Sequence, residues 1–210
     1  MEQILETTLP KARAGPLTPT ESLEENLWVA ASQRGDALAF NRLVLKWERP
    51  VFNLALRMLQ NGDEAADATQ EVFLCAFKNI RGFRRESRFS TWLYRIAANQ
   101  CISRLRRRPV GPHYSLDDPD SEGWAAREIA ASDSQEAHFL QAENRSRVRR
   151  ALECLPPEQR LAVELKFYQD LTFEEIAAIV EAPLSTVKSR LYAGLELLKT
   201  HLGRAKRSMP

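Results

Sequence analysis

The run Thr172-Phe-Glu-Glu175-Ile-Ala-Ala-Ile-Val180, followed by Glu181-Ala-Pro-Leu184 and Ser185-Thr-Val-Lys188-Ser-Arg-Leu-Tyr192, decides the fold class. Thr172 and Glu175 have the Ser/Thr-x-x-Glu spacing of a capping box, in which two backbone donors at a helix start are satisfied reciprocally. Ile176, Ala177 and Val180 follow at helical spacing. Glu181 to Leu184 interrupts this short helix, and Ser185 is placed to cap the next, which the pattern predicts from about Thr186 to Leu202. On that second helix Val187, Leu191, Leu198 and Leu202 share one stripe. Ser185, Ser189, Tyr192 and Ala193 face away, and Lys188 and Arg190 flank the stripe. Two helices joined by a tight break form a helix-turn-helix, whose second helix brings short polar groups to base edges in a major groove and cations to phosphates. An ordinary helical hairpin with a solvated charged face fits the same pattern.

Moving toward the N-terminus, helical periodicity is expected from near Gln135 through Val148, Leu152 and Leu155. Pro156-Pro157 then opens a further helix, from Glu158 to about Gln169, since proline is tolerated only in a first turn. The stretch from Pro109 to about Ser134 is rich in Pro, Gly, Asp and Ser without apolar periodicity, which predicts a flexible acidic linker. Before it, Asn26 to about Arg108 is helical in pattern, with Phe40, Leu43, Val51, Leu54, Ala55, Met58 and Leu59 at three-and-four spacing. Asn61-Gly62-Asp63 marks a helix end and a new cap. The next helix is expected to turn Ala66, Thr69, Phe73, Ala76, Phe77 and Ile80 inward, and Glu64, Asp67, Glu71 and Lys78 outward. A helix from about Ser90 to Arg107 places Trp92, Arg95, Ile96, Asn99, Ser103 and Arg106 on one stripe, with Leu93, Ala97, Cys101 and Leu105 toward the core. The predicted organisation is all-α, in two small helical domains. A tail spans 1–25, a first domain 26–108, the linker 109–134, a second domain 135–204 and a short tail 205–210.

The net charge of +2 conceals a strong segregation of sign. Arg81 to Arg108 holds nine arginines against one acid, Pro109 to Asn144 eight acids against one base, and Lys188 to Arg207 six bases against one acid. Such segregation points to a polyanionic partner more than net charge does. A basic stripe carrying an aromatic ring and an amide suits single-stranded nucleic acid, where cations track the backbone and side chains stack on unpaired bases. The alternative is that Trp92 belongs to the core and the arginines are merely solvated. Phe83 and Phe89 bracket a short arginine-rich loop just before this stripe. Cys75, Cys101 and Cys154, like His113, His138 and His201, are scattered, which offers neither a disulfide framework nor paired metal ligands. No phosphate loop, nucleophile constellation, long apolar run or secretory leader is evident, so a cytoplasmic, non-catalytic protein without cofactor or metal is expected.

Two blocks of residues together resemble a known family. Asp67-Ala-Thr-Gln70-Glu71-Val-Phe73, Phe83-Arg84 and Phe89-Ser-Thr91-Trp92-Leu-Tyr-Arg95-Ile-Ala-Ala-Asn99 look like the second conserved region of bacterial RNA polymerase sigma factors of the extracytoplasmic-function (ECF) group. Leu155-Pro-Pro-Glu158, Phe173-Glu-Glu-Ile-Ala177 and Thr186-Val-Lys-Ser-Arg-Leu191 are similar to their fourth region. The blocks cover roughly residues 27 to 204, in the family's order and spacing.

The resemblance implies a subunit that directs core polymerase to promoters, for a stress or envelope-response regulon. Asp67, Gln70 and Glu71 would face the coiled coil of the polymerase beta-prime subunit. Phe83, Phe89, Trp92, Arg95, Asn99, Ser103 and Arg106 would open and read the −10 element as a separated strand. Ser185, Thr186, Lys188, Ser189, Arg190 and Tyr192 would read the −35 element as duplex. An anti-sigma factor is a further partner it implies. The chain departs from the family at Ala193 and Gly194, where basic residues are common, so no −35 sequence is carried over. A stand-alone helix-turn-helix regulator would need only residues 145 to 204 and leaves Asp67 to Asn99 without a purpose. A protein-binding helical scaffold would show no salt-dependent DNA affinity.

Overall fold

The computed structural model describes residues 19–107 and 147–207, and within them every regular element is a helix. In chain order these are α1 (Pro19–Gln33), α2 (Ala37–Leu59), α3 (Gly62–Asn79), a 3-10 turn (Ile80–Gly82) and α4 (Phe89–Arg107). They are followed by α5 (147–153), α6 (Pro157–Phe167), α7 (Phe173–Val180) and α8 (Leu184–Arg207). The linker expected over 109–134 and the onset of the second unit at 135 lie outside the described residues.

The first helix starts earlier than its apolar pattern indicated. α1 begins at Pro19, ahead of Asn26, so the tail expected over 1–25 is too long. A tertiary contact accounts for this: Glu25 is buried, accepts a hydrogen bond from Trp47 Nε1 at 2.9 Å and pairs with Lys46 Nζ at 2.9 Å. Gly35, at φ +99°, makes the turn into α2, where a side chain would be strained. Asp36 then caps α2 by accepting from the amides of Leu38 and Ala39, as N-cap carboxylates do. α2 buries Phe40, Leu43, Trp47, Val51, Leu54, Ala55, Met58 and Leu59. It runs through Pro50. An interior proline costs about 3 kcal/mol, and the buried residues on either side of it supply the offsetting packing. Gln60 closes the helix in a left-handed conformation, φ 57°. Asn61 caps α3 by accepting from the Glu64 amide at 2.8 Å.

α3 departs from its expected orientation at two positions. Ala65, Ala68, Thr69, Val72, Phe73 and Ala76 are buried. Ala66 and Phe77, expected inward, are exposed. The helix packs against both α2 and α4. Its buried stripe is therefore set by those two neighbours, and Phe77 is left at the margin, edge-on to Phe40 with ring centroids 5.0 Å apart.

In the second half Pro157 occupies the first turn of α6. The capping box of Thr172 and Glu175 forms at α7 as its spacing requires. α8 starts at Leu184, one residue before Ser185, so Ser185 lies in the first turn and is not the cap. The Pro183 carbonyl starts this helix instead, accepting from the amides of Thr186 at 2.9 Å and Val187 at 3.1 Å. At its other end α8 continues to Arg207, into the tail expected over 205–210.

Val148, Leu152, Leu155, Ala162, Val163, Tyr168, Leu191 and Leu198 form a core belonging to the second half. Leu161, Leu165, Ile176, Ile179 and Val187 instead join the core of α2, α3 and α4. The two halves, expected to be held only by a tether, thus share an apolar seam. Polar side chains lock it. Glu164 on α6 is fully buried and accepts from Arg57 Nε of α2 at 2.6 Å. Arg160 Nη1 donates to the Met58 carbonyl at 2.7 Å, while its Nη2 donates to the Glu153 carbonyl at 2.7 Å. The Arg57 guanidinium carbon lies 4.2 Å from the Tyr168 ring centroid, within cation–π range. Tyr94 of α4 donates to Gln169 Oε1 at 2.6 Å. Burial pushes the Glu164 carboxyl above the usual carboxylate range, against the opposing pull of Arg57 and Arg160.

A buried pair of this kind contributes little net stability beyond an apolar replacement, but removing one partner strands the other. Replacing Glu164 with Ala should therefore destabilise the fold by about 3 kcal/mol, because Arg57 is left without its carboxylate. Urea unfolding followed by circular dichroism measures this. A loss below about 1 kcal/mol, the level of an exposed pair, would mean that the seam does not bury these charges.

Candidate nucleic-acid and protein interface

Three polar surfaces take up the residues singled out in the sequence. The first is the outer side of α3, where Asp67, Gln70 and Glu71 are exposed. Glu71 is not free: it pairs with Arg104 Nη2 of α4 at 2.8 Å and so ties α3 to α4. Leu74 and Phe77, 51% and 53% exposed, continue the same side of the helix. An acidic and amide face therefore passes into an apolar one.

The second surface is built on α4. Leu93, Tyr94, Ala97, Ala98 and Cys101 are buried, and burial pushes the Cys101 thiol up to about 12. This anchored side fixes the opposite one, on which Asn99 and Arg106 are exposed and Trp92, Arg95 and Ser103 are half-buried. The two phenylalanines bracketing the arginine loop point inward: Phe83 is 9% and Phe89 3% exposed. Phe83 stacks on Trp92 with centroids 5.0 Å apart and planes 28° from parallel, and Phe89 lies 5.7 Å from the same ring. In this arrangement they set the position of the indole and hold both ends of the loop, while Arg84, Arg85 and Arg88 stay outside.

Gln33 of α1, which periodicity did not mark, organises this loop. Its Nε2 donates to the carbonyls of Ile80 at 3.0 Å and Phe83 at 2.6 Å. Its Oε1 accepts from Arg85 Nε at 3.0 Å and Nη2 at 2.8 Å. Arg85 itself is left-handed, φ 58°. A half-buried helix-end glutamine leaves no trace in a hydrophobic pattern, and only the fold brings it to the loop.

The third surface is the start of α8. Ser185, Lys188, Ser189 and Tyr192 are exposed, Tyr192 at 62%, and Thr186 and Arg190 are half-buried. Ser189 Oγ donates to the Thr186 carbonyl at 2.9 Å. Lys188 Nζ lies 5.5 Å from the Phe173 ring centroid, so this cation rests over α7 while remaining exposed. On the inner side Gly194 permits close packing: a Cβ there would meet Val163 Cγ2 at 3.3 Å and Gln159 Cβ at 3.4 Å of α6. The uncharged Gly194 thus sets how near α8 approaches its support.

Acids of the second half face cations of the α4 surface. Arg95 Nη1 reaches Glu181 at 2.9 Å, Arg106 Nη2 reaches Glu158 at 2.9 Å, and Arg88 Nη1 reaches Glu175 at 3.4 Å. The hydrogen bond from Arg106 holds the Glu158 carboxyl below the usual carboxylate range. Among the described residues no group of three His, Cys, Asp or Glu side chains is placed to hold a metal ion, and no helix is long and apolar enough to cross a membrane. What these surfaces offer is charge, hydrogen bonding and stacking.

Comparison with known proteins agrees with this geometry. Residues 43–109 match the family model of sigma-70 region 2, and residues 145–198 that of sigma-70 region 4. The chain is 37% identical over 184 residues to the ECF RNA polymerase sigma-E factor of Escherichia coli K12, an alignment covering 85% of this chain and 94% of that protein. It is 34% identical over 184 residues to the RNA polymerase sigma-H factor of Pseudomonas aeruginosa, covering 85% and 93% of the two. Among solved structures, CnrH in complex with the cytosolic domain of CnrY superposes with a TM-score of 0.63 at 19% identity, over 86% of this chain and 98% of CnrH. The sigma factor RpoE of Bartonella quintana, in complex with the anti-sigma factor NepR, gives a TM-score of 0.56 at 22% identity, over 78% and 96%. These two likenesses concern the fold. Taken with the two conserved regions and the sequence relatives, they show that this all-helical chain belongs to the ECF group of RNA polymerase sigma factors, DNA-binding subunits that direct core polymerase to promoters and initiate transcription.

Proposed function

We propose a division of this task among the three surfaces. The outer side of α3, with Asp67, Gln70 and Glu71, binds the beta-prime coiled coil of core polymerase. The α4 surface, with Trp92, Arg95, Asn99, Ser103 and Arg106 and the loop held by Phe83 and Phe89, takes up the −10 element as a separated strand. The start of α8, with Ser185, Thr186, Lys188, Ser189, Arg190 and Tyr192, reads the −35 element as duplex. The unit that begins with α1 and the unit that ends with α8 act as the two working units, connected through 109–134. Opening is driven by binding alone, without catalysis by this chain: an exposed base binds the melted state and not the duplex, which shifts the equilibrium toward the open complex. The protein works in the cytoplasm on a stress or envelope-response regulon. By analogy with RpoE, which is seen with the anti-sigma factor NepR, an anti-sigma factor is a natural partner.

The single observation carrying this reading is the two-sidedness of α4. Its core side is anchored by Leu93, Tyr94 and Cys101, while an amide, a hydroxyl and two guanidiniums line the side that carries Trp92. That combination suits unpaired bases and their backbone. The decisive experiment is transcription from genomic fragments by core polymerase with and without this chain, with start sites mapped.

Three outcomes follow from the separate surfaces. Asp67→Arg combined with Gln70→Ala should abolish association with core polymerase in size-exclusion chromatography while leaving helicity unchanged, since both side chains are exposed. Full association would remove the α3 face from the proposal. Glu71 is left intact because its pair with Arg104 contributes to the fold.

Asn99→Ala should impair promoter opening, with a loss of about 0.5 to 1.5 kcal/mol for a hydrogen bond to a base. Permanganate footprinting on duplex and pre-melted templates reads this directly. A defect of equal size on both would keep strand binding and discard a part in opening; normal behaviour on both would discard the site.

On α8, Lys188→Ala should weaken all duplex sequences alike and reduce the salt slope by about one phosphate contact. Ser189→Ala or Tyr192→Ala should instead change which −35 sequences are preferred, at about 1 to 3 kcal/mol per base contact. Selection from a randomised promoter pool compares them. An identical preferred sequence from wild type and both variants would shift recognition to DNA shape.

A further inference from the structure

Gln33, the last residue of α1, makes four hydrogen bonds with one amide. Its Nε2 donates to the carbonyls of Ile80 at 3.0 Å and Phe83 at 2.6 Å, and its Oε1 accepts from Arg85 Nε at 3.0 Å and Nη2 at 2.8 Å. Two N–H groups and two lone pairs are the whole capacity of a side-chain amide. Its orientation follows from these partners, because a flip would set donor against guanidinium and acceptor against carbonyls. Neither a carboxylate nor an ammonium serves both sides, since the first lacks donors and the second lacks acceptors.

The support beneath this amide is firm. Val29 packs α1 into the core, and Ser32, buried beside Gln33, donates to the Trp28 carbonyl at 2.7 Å. Just beyond, a Cβ at Gly35 would lie 3.6 Å from Arg81 Nη2, so the end of α1 lies against the turn that follows α3. Gln33 therefore ties the loop over 83–88 to a fixed helix end, through its backbone at one point and through a cation at another.

What the amide holds is a strained residue. Arg85 is exposed and left-handed, φ 58°. Gln60 and Glu181 share this conformation but close helices, where it is common. Arg85 instead lies inside the loop between the 3-10 turn and α4. A non-glycine residue persists in that region where its surroundings over-determine it, and such residues gather at ligand clamps. Gln33 engages the Nε and Nη2 edge of the guanidinium and not Nη1. A planar guanidinium stacks on bases and bonds phosphates, and one already held in place loses less rotamer freedom on binding than a free one.

We propose that Gln33 is a positioning residue for −10 recognition: by holding Arg85 in its left-handed form and the Phe83 carbonyl in place, it presets the loop between α3 and α4 to receive an unpaired base. Its effect passes through Arg85 and is felt in discrimination between strands, not in docking to polymerase or to the −35 element. The proposal rests on the reading of α4 and its loop as the −10 surface.

The test uses the full chain assembled with core polymerase. Wild type first selects a preferred −10 strand from promoter templates that are pre-melted and randomised over that element. Each variant is then compared, by competition binding, on this strand and on one with the same bases scrambled. Gln33→Met keeps the length of the side chain without its hydrogen bonds, and should lower the ratio of the two affinities about fivefold. Arg85→Lys keeps the charge but loses the fork, and should lower the ratio by a similar factor. The two changes together should lower it no further, as expected of residues acting through one contact. Association with core polymerase in size-exclusion chromatography and binding to a fragment carrying only the −35 element should stay at wild-type levels. Because Arg85 is exposed, Arg85→Lys tests the same contact even if Gln33→Met does not fold.

Wild-type discrimination by Arg85→Lys would overturn the proposal, since the charge alone would then suffice. Equal losses by Gln33→Met on the −35 fragment and in polymerase association would make Gln33 a residue of the fold only, and additive losses in the double variant would separate it from Arg85; either result also overturns it. Asn99→Ala reports on the underlying reading. If it weakens strand binding while Gln33→Met and Arg85→Lys do not, the positioning role falls and the α4 surface stands; if all three behave as wild type, both fall.

Discussion

Glu164 is the group on which the arrangement of the molecule depends. It sits fully buried on α6 beside Arg57 of α2, while Arg160, one helical turn earlier, donates to the α2 backbone at Met58. A carboxylate taken out of water is costly unless matched. The match here is available only when α6 lies against α2, so the charge acts as a selector of one packing among the many that an apolar seam would tolerate. Leu161, Leu165, Ile176 and Ile179 supply the apolar contact. Arg57 and Arg160 give it a register, and the Tyr168 ring lies within cation–π range of Arg57.

From that register the positions of the working surfaces follow. With α6 fixed on α2, Gln169 receives Tyr94 and α7 lies along α4. Consequently Glu175 and Glu181 arrive opposite Arg88 and Arg95. On the far side of α4, Glu71 reaches Arg104 and joins the face of α3 to the helix that carries the basic stripe. One helix therefore connects the acidic face, the basic face and the second half. Its inward residues, Leu93, Tyr94, Ala97, Ala98 and Cys101 among them, are tightly buried, which leaves little freedom for its outward ones.

Much of this was legible because helical periodicity and capping are local. The capping box at Thr172 and Glu175, the proline-opened α6 and the stripe of Val187, Leu191 and Leu198 depend on residues three or four apart. Errors fell where a neighbour decided. Phe77 is large and apolar yet exposed, because α2 and α4 fix which side of α3 is covered. Phe83 and Phe89 bracket the arginine-rich loop in the sequence, and only the fold shows that both close onto Trp92. The start of α1 was missed since Glu25 looks like a solvent residue until Trp47 and Lys46 meet it. Gln33 carries no pattern at all, although it holds the arginine loop from both sides.

By itself the sequence determined the all-helical class, the helix-turn-helix, the segregation of charge and the two blocks that mark the family. Each of these is encoded in short-range spacing, where hydrogen bonding within a helix and the covering of one face leave few alternatives. The tertiary structure alone decided that the halves pack together, that Glu164 is buried between two arginines, and that the cations of α4 meet carboxylates about 50 to 90 positions further along the chain. Charge pairing has no period. An arginine in a sequence attracts every acid equally, and only the seam selects which of them it meets.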